Sequence, residues 1–597
     1  MKTNLRCGVL VQLLVAAVLT AAPTLAAERQ ASGLASRHRA GQTLLTFREV
    51  DSPVTAETIT AKTLKEIRRD LDKQKKVRYR IYRSPQPIAS VAGLEPVAEV
   101  LPLSCWNADY HGIYPKPEQQ AVRYAVDDGK PPVAPGAGIC AHNPKTAGDA
   151  YYAVTISIDG KENATIDKSN SLQAPVRETV GRGLPVLQRI EKPETWQYVD
   201  GPTLHYYVRW ETPPNCAAMG KPYDYLVAVP PKLAKPAGVG IHLHCWGGSL
   251  NGGYGWWYQA EQGHLLIASN QIPYDWWTGY HELYWKGPPD EKTWKAGVVR
   301  PYSQTRMLSF LDWVATRWDV DLTRTHVAGN SMGGSGAPML AIRHGERIAW
   351  STGWVGVHDP AGTPHFKGSY ERVYGKQQWG VKFENGNSVW DHFRDAWYLR
   401  RHPDKPVGLI CFSNGKNDGA IGWQQAAEFH RALQETRQPH IFVWGQSGHG
   451  QRAQLPISLS DRQMPMDLRT DQSLPAFSNC SLDDDPGNGQ PDNGDPKGQS
   501  NLYLYWETRG IVDQTDGWTV EVGLVDKAPK GECTVNVTPR RLQQFQPKPG
   551  QTYKWTNTTI NLGATLQTGT ATADKHGLIT LENVRVSRAG SRISISP

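Results

Sequence analysis

What the 597-residue chain lacks narrows its class before any motif is read. It has eight cysteines, none in C-x-x-C spacing, so nothing in the pattern points to a thiolate metal site. Lys and Arg exceed Asp and Glu by only eight, and no basic run stands out, which argues against a nucleic-acid partner. Past the first 26 residues no apolar run could span a bilayer. No repeat at a propeller-blade period is visible. The start of the chain has the make-up of a signal peptide over residues 1–26: Lys2 and Arg6, an apolar run from Val9 to Leu19, and a small-residue cleavage site at Thr24-Leu25-Ala26. A secreted or periplasmic protein is expected. Seven cysteines remain after cleavage, and export permits disulfides. Cys105–Cys140 and Cys480–Cys533 are the expected pairs, with at least one thiol left over.

What is present centres on His326-Val327-Ala328-Gly329-Asn330-Ser331-Met332-Gly333-Gly334. It contains G-x-S-x-G, in which a serine occupies a sharp strand-to-helix turn that exposes its hydroxyl above a sheet. Glycines flank it because side chains would clash in so tight a turn. The setting fits. Ser303 to Trp318 has helical spacing through Met307, Phe310, Leu311 and Val314. Asp319 to Thr325 reads as a polar turn, and Ala337 to Arg343 continues as a helix. A serine hydroxyl needs an adjacent base to act as a nucleophile, so an acid and a histidine should follow.

In chain order, residues 28–40 are polar and read as disordered. Residues 41–172 read as a β-sandwich with strands at Thr43 to Phe47, Val77 to Arg83, Val97 to Leu103 and Tyr151 to Ile158, and a helical insert at Ala56 to Asp72. The Y-R-I-Y-R and Y-Y-A-V-T…D-G-K-E-N stretches resemble a fibronectin type III domain, a kind of module that usually acts as a spacer or docking surface. Residues 173–200 read as linker. From 201 to 455 strands alternate with helices, which argues a parallel sheet covered by helices. In their order of elements these residues resemble the α/β-hydrolase superfamily, in particular esterases, polymer depolymerases and the catalytic domain of prolyl-oligopeptidase-like enzymes. The fold expected is therefore α/β, a doubly wound, mostly parallel sheet flanked by N- and C-terminal β-sandwich-like domains. Residues 456–500 read as an acidic Pro/Gly linker. Asp483, Asp485, Asp492 and Asp495 could hold a structural Ca²⁺, although a solvated linker is the preferred reading. Residues 501–597 read as a small β-sandwich.

The superfamily order is Ser, acid, His. Val407 to Phe412 is a strand that runs into Ser413-Asn414-Gly415-Lys416-Asn417-Asp418-Gly419, at the carboxyl edge where such sites are built. Asp418 is the expected acid. Asp404 precedes the strand and Asp359 follows an earlier one, so both are rivals of lesser claim. The next strand, His440 to Trp444, leads into Gly-Gln-Ser-Gly-His449-Gly. His449 is the expected base, with His430 and His440 structural. Two N–H donors should hold the oxyanion. One is the Met332 N–H. The other comes from His244-Cys245-Trp246-Gly247-Gly248, which departs from the esterase HGGG-type turn, so Trp246 is preferred and Cys245 second.

Tryptophan is abundant, and 17 of its 22 positions fall between Trp210 and Trp444. Trp256, Trp257, Trp276, Trp277, Trp285 and Trp423 are read as a substrate-binding surface, since flat rings bind sugars or aromatic groups; a packed scaffold for long loops is the rival reading. The function expected is an exported serine esterase needing no cofactor, acting on a polymeric, polysaccharide-linked or small-molecule ester. A prolyl-oligopeptidase-like peptidase and a non-catalytic polymer-binding protein are the alternatives.

Overall fold

The structure, a computed structural model, describes residues 29–74, 76–197, 199–251, 260–450 and 468–597. The stretch read as a signal peptide, together with Trp256 and Trp257, lies outside these residues. The described chain divides into two compact units.

The first unit is a two-sheet β-structure. One sheet has the order Ser32–Arg39, Gln42–Arg48, Ala137–His142, and the other Val176–Glu178, Gly148–Ile158, Val77–Ser84, Ala98–Val100. Alternation along Val77–Ser84 explains its packing. Tyr79 and Ile81 enter a core with Leu45, Phe47, Tyr152 and Val154. Arg78 and Arg80 pair with Glu99, and Arg80 also with Glu162. Residues 28–40, expected to be disordered, instead contain the strand Ser32–Arg39, paired to Gln42–Arg48 through a tight turn at Ala40 and Gly41. Its polarity reflects an edge position rather than disorder. The insert is a helix at Ala61–Gln74.

The second unit is built on a ten-stranded sheet. Its strands are β1 (Val186–Glu191), β2 (Thr203–Glu211), β3 (Lys221–Val229), β4 (Ala237–Leu243), β5 (Leu265–Ser269), β6 (Val320–Asn330), β7 (Trp350–Trp354), β8 (Leu409–Gly415), β9 (His440–Gly445) and β10 (Gly498–Ser500), in the spatial order β1-β2-β3-β5-β4-β6-β7-β8-β9-β10. The six strands from β5 to β9 are parallel, while β1, β2, β3 and β10 join antiparallel. The sheet is thus mixed, with a parallel centre. Its inner strands are buried along nearly their whole length, as β4 shows, because helices cover a parallel sheet. Helices α1 (Tyr302–Val314), α2 (Met332–Arg343) and α3 (Trp423–Glu435) connect or follow these strands.

Three boundaries differ from the sequence reading. The stretch 173–200, expected as linker, supplies edge strand β1. The polar turn at Asp319 to Thr325 is the first half of β6, where Val320 and Leu322 pack on the core. The stretch 456–500 carries β10 and a further strand, Leu474–Ser478, which pairs with Glu532–Arg540. Short polar edge strands have no periodic apolar signal to announce them.

The C-terminal β-structure is not a loosely tethered module. Its two sheets share one apolar cluster with Ala328, Trp350, Trp354, Leu409 and Cys411 of the ten-stranded sheet. Buried Arg541 donates to the carbonyls of Gly345 and Ile348, and buried Arg540 to those of Pro403 and Lys405. Cys105, Cys140, Cys216, Cys245, Cys411, Cys480 and Cys533 are all free thiols, so neither expected disulfide is formed. The neighbouring Cys533 pushes the Cys480 thiol up, and burial pushes the Cys140 thiol up to about 12. Among the described residues no helix is long and apolar enough to cross a membrane.

Removal of the Arg541 guanidinium leaves the carbonyls of Gly345 and Ile348 buried without their donor. Arg541→Ala should lower stability by about 1–3 kcal/mol in a urea titration. A chain ended after residue 467 should be insoluble or molten, because the apolar face of β6, β7 and β8 loses its cover. A soluble, cooperatively melting fragment would show that the sheet closes without it.

Candidate active site

The site is assembled at the carboxyl ends of the parallel strands. Strand β6 ends at Asn330 and α2 begins at Met332, so Ser331 alone makes the turn. Its backbone sits at φ 55°, ψ −114°, outside the regions that non-glycine residues prefer. The surroundings hold it there. The Ser331 N–H donates to the Trp354 carbonyl at 2.8 Å, and the Ser331 carbonyl accepts from Ser335 N–H at 2.9 Å. Gly333 is required by close approach, since a Cβ there would lie 1.9 Å from the Leu243 carbonyl oxygen.

A chain of hydrogen bonds runs from this serine. His449 Nε2 lies 2.9 Å from Ser331 Oγ, and His449 Nδ1 lies 2.7 Å from Asp418 Oδ2. Ser331 and Asp418 are buried, whereas His449 is exposed. Burial pushes the Asp418 carboxyl up, but the His449 hydrogen bond and the N–H groups of Ile421 and Ala420 outweigh it and hold the pKa below the usual carboxylate value. The two loops that supply these side chains are joined. Gly415 approaches the Ser447 carbonyl so closely that a Cβ would sit 2.0 Å from it. Lys416 N–H donates to the Gly445 carbonyl at 2.8 Å, and Asn417 Nδ2 to the Gln446 carbonyl at 2.5 Å.

The rivals stand elsewhere. Asp359 pairs with Arg394 and accepts from the Ala361 N–H. Asp404 precedes β8, away from its carboxyl end. His430 and His440 are buried against each other, with ring centroids 5.5 Å apart, and burial lowers the pKa of His440 to about 4.

The loop after β4 lies beside the elbow and carries Cys245 and Trp246. His244 fixes it. The Gln271 N–H donates to His244 Nε2 at 3.0 Å, so the ring proton is on Nδ1, which donates to the Cys245 carbonyl at 2.8 Å. Burial keeps this imidazole neutral, with its pKa lowered to about 4. The Trp277 indole N–H donates to the His244 carbonyl at 3.0 Å. Met332 opens α2, so its N–H is one of the four that have no acceptor within the helix.

Of the four described tryptophans expected to bind substrate, three are packed inside. Trp276 is 0% exposed and Trp277 and Trp423 are each 2% exposed. Their indole N–H groups reach Ser369 Oγ and the carbonyls of His244 and Pro486. Trp285 is half-buried and donates to Tyr280 Oη. Burial with a satisfied N–H is the scaffold role for a tryptophan.

Sequence reasoning missed the use of the acidic stretch. Lys416, two residues before Asp418, is buried and donates from Nζ to the carbonyls of Asn493 and Asp495 at 2.6 and 3.0 Å. Trp444 Nε1 donates to the same Asp495 carbonyl at 3.0 Å. The carboxylates turn onto nearby groups: Asp483 accepts from Ser500 and Asn501, Asp485 from Gly487 N–H, and Asp495 from Asp485 N–H. Among the described residues no group of three or more His, Cys, Asp or Glu could hold a metal ion. A lysine inside an aromatic-lined loop two positions before an acid was the one available signal.

Ser331→Gly should remove the nucleophile and relieve the backbone. Strain of this kind typically stores about 1–3 kcal/mol, against about 0.5–1 kcal/mol for the added freedom of glycine in the unfolded chain. The variant should therefore melt higher than the parent in calorimetry. A lower melting temperature would show that Ser331 is unstrained.

Residues 300–452 match a family model described as "Putative esterase". No curated protein matches the chain. Similar solved structures include an S-formylglutathione hydrolase from Agrobacterium tumefaciens (14% identity, 44% of this chain and 92% of that chain, TM-score 0.31). They also include an S-formylglutathione hydrolase from Staphylococcus aureus (18%, 42% and 93%, TM-score 0.31) and prolyl endopeptidases (11%, 54% and 52%, TM-score 0.29). These likenesses do not separate ester from peptide cleavage. Over residues 300–452 the chain is thus similar to an esterase family.

Proposed function

We propose that the protein is an exported carboxylic ester hydrolase that works through an acyl-enzyme on Ser331. The observation that carries this reading is His449 hydrogen-bonded at once to Ser331 Oγ and to Asp418. His449 Nε2 takes the Oγ proton as Oγ attacks the ester carbonyl carbon. Asp418 holds the ring with Nδ1 protonated and stabilises the imidazolium that forms. The tetrahedral oxyanion faces the N–H groups of Met332 and of the β4 loop, Trp246 or Cys245. On collapse the C–O bond to the alcohol breaks, and His449 gives its proton to the departing alkoxide. A water molecule then repeats the cycle on the acyl-serine and releases the acid. The balance is ester plus water to acid plus alcohol, with no cofactor consumed.

The match of residues 300–452 to an esterase family supports the ester over the peptide. The make-up of residues 1–26 supports export. The two flanking β-structures support a polymeric or polysaccharide-linked ester, as spacer or docking elements.

Hydrolysis of p-nitrophenyl acetate and butyrate should be readily measured with the mature protein. Ser331→Ala and His449→Ala should each lower kcat by at least about 10⁴-fold. Asp418→Asn should cost about 10⁴-fold by disturbing the imidazole tautomer. A fluorophosphonate should label the parent and not Ser331→Ala. Cleavage of a prolyl anilide with negligible ester turnover would move the assignment to a peptidase, and unchanged ester turnover in Ser331→Ala would remove the triad.

A further inference from the structure

With Trp276, Trp277 and Trp423 in the core, few aromatic groups among the described residues still face solvent around Ser331. Tyr114 is the one fully exposed aromatic side chain among the described residues, at 72%. Its segment is not loose. Asn107 Nδ2 donates to Asp224 Oδ1 at 2.6 Å, and Asn270 Nδ2 to the carbonyls of Asp109 and Tyr110 at 3.0 and 3.2 Å. The Tyr110 hydroxyl accepts from Asn251 Nδ2 at 3.1 Å. Gly112 lies so close to the β4 loop that a Cβ would fall 2.6 Å from the Gly248 carbonyl oxygen. This pinned arm sets the Tyr114 ring on Gly247, where a Cβ would lie 3.0 Å from the ring.

Gly247 adjoins Trp246, which is half-buried in the loop after β4. The Trp246 ring stands 5.1 Å from Tyr274 and 6.5 Å from Phe366, centroid to centroid. Phe366 is also half-buried and follows His365, whose N–H donates to the Ala420 carbonyl at 3.2 Å, next to the acid loop. Tyr114, Trp246 and Phe366 thus make a row from the β4 loop to the neighbourhood of the Asp418 loop.

We propose that Tyr114, Trp246 and Phe366 form a subsite that selects esters carrying a planar aromatic ring. The proposal rests on the esterase reading above. Ring faces dominate this surface. The Tyr274 hydroxyl beside the Trp246 ring is already donated to the Gly248 carbonyl at 3.1 Å. A sugar ring needs several free hydrogen-bonding partners for its hydroxyls, whereas an aromatic ring needs only faces and edges. The exposed Arg372 guanidinium, 5.7 Å from the Trp246 ring centroid, closes one side of the row with a cation. Tyr114 contributes specificity rather than chemistry, since it reaches the site only through Gly247.

Two measurements test this. In the Ser331→Ala background, calorimetric titration with methyl cinnamate reads ring binding without turnover. Tyr114→Ala should weaken this affinity about 3–10-fold, the usual worth of one aromatic pair, and Tyr114→Phe should restore it. With Ser331 intact, the ratio of kcat/KM for methyl cinnamate and phenyl acetate over ethyl acetate should fall about 3–10-fold in Tyr114→Ala; loss confined to methyl cinnamate would put the ring on the acyl side, and loss confined to phenyl acetate on the alcohol side. Equal affinity with and without Tyr114, an unchanged ratio, or a loss seen only with an acetylated sugar would overturn the subsite. Ring binding that depends on Tyr114 in a protein that hydrolyses none of these esters would sink the esterase reading and leave the subsite standing.

Discussion

The close approach of the elbow to the end of β4 is the constraint on which the site depends. Gly333 leaves no room for a side chain against the Leu243 carbonyl. Gly334 is equally tight against Trp354, where a Cβ would lie 2.1 Å from the carbonyl oxygen. With both contacts made, α2 begins directly at the sheet edge and Ser331 must take its unusual backbone angles. The same contacts bring the loop after β4 beside the N-terminus of α2, so the Ser331 hydroxyl and the N–H groups of Met332 and the β4 loop are set by one piece of packing. Interiors of this density do not deform continuously. Any looseness at Gly333 would be felt at both groups together.

The other half of the site is held by different means. Asp418 and His449 arrive on two loops, and loops are ordinarily the mobile part of a fold. Here neighbouring parallel strands end in register at Gly415 and Gly445, and the loops beyond them are hydrogen-bonded to each other. Lys416 then ties the acid loop to the segment 493–495, which leads into edge strand β10. The C-terminal β-structure shares its core with β6, β7 and β8. A region that looks appended in the sequence is therefore part of the scaffold that places the acid.

The sequence made the centre of this architecture legible and left its margins obscure, for physical reasons. Strands β4, β5, β8 and β9 are continuous apolar runs because both faces are covered, so they and the loops after them could be placed. The expected acid and base, Asp418 and His449, followed from chain order, and the structure brings both to Ser331. Strand β1, strand β10 and Ser32–Arg39 are short or polar edges whose pairing is set by distant partners, and no local pattern marks such pairing. The tryptophans misled because a sequence shows their number and not their direction. Trp276 and Trp277 sit in consecutive left-handed backbone positions, φ 61° and 62°, which turn both rings inward. Tyr114 went unseen because it lies far ahead of the hydrolase stretch, in a segment that packs on it.

That inward turn explains why, among the described residues, so few aromatic rings are exposed around Ser331. Trp277 supports the His244 carbonyl, Trp276 stacks on Tyr370 with centroids 4.9 Å apart, and Trp423 lies under the acid loop. Each large ring fills volume behind a loop, and each indole N–H ties down a carbonyl or hydroxyl. The tryptophans therefore act on the chemistry through rigidity. Contact with a substrate is left to side chains that rest on this layer, as Trp246 does on Trp276 and Tyr274. A floor that does not move lets a single exposed ring such as Tyr114 discriminate, because rearrangement of the wall cannot absorb a misfit.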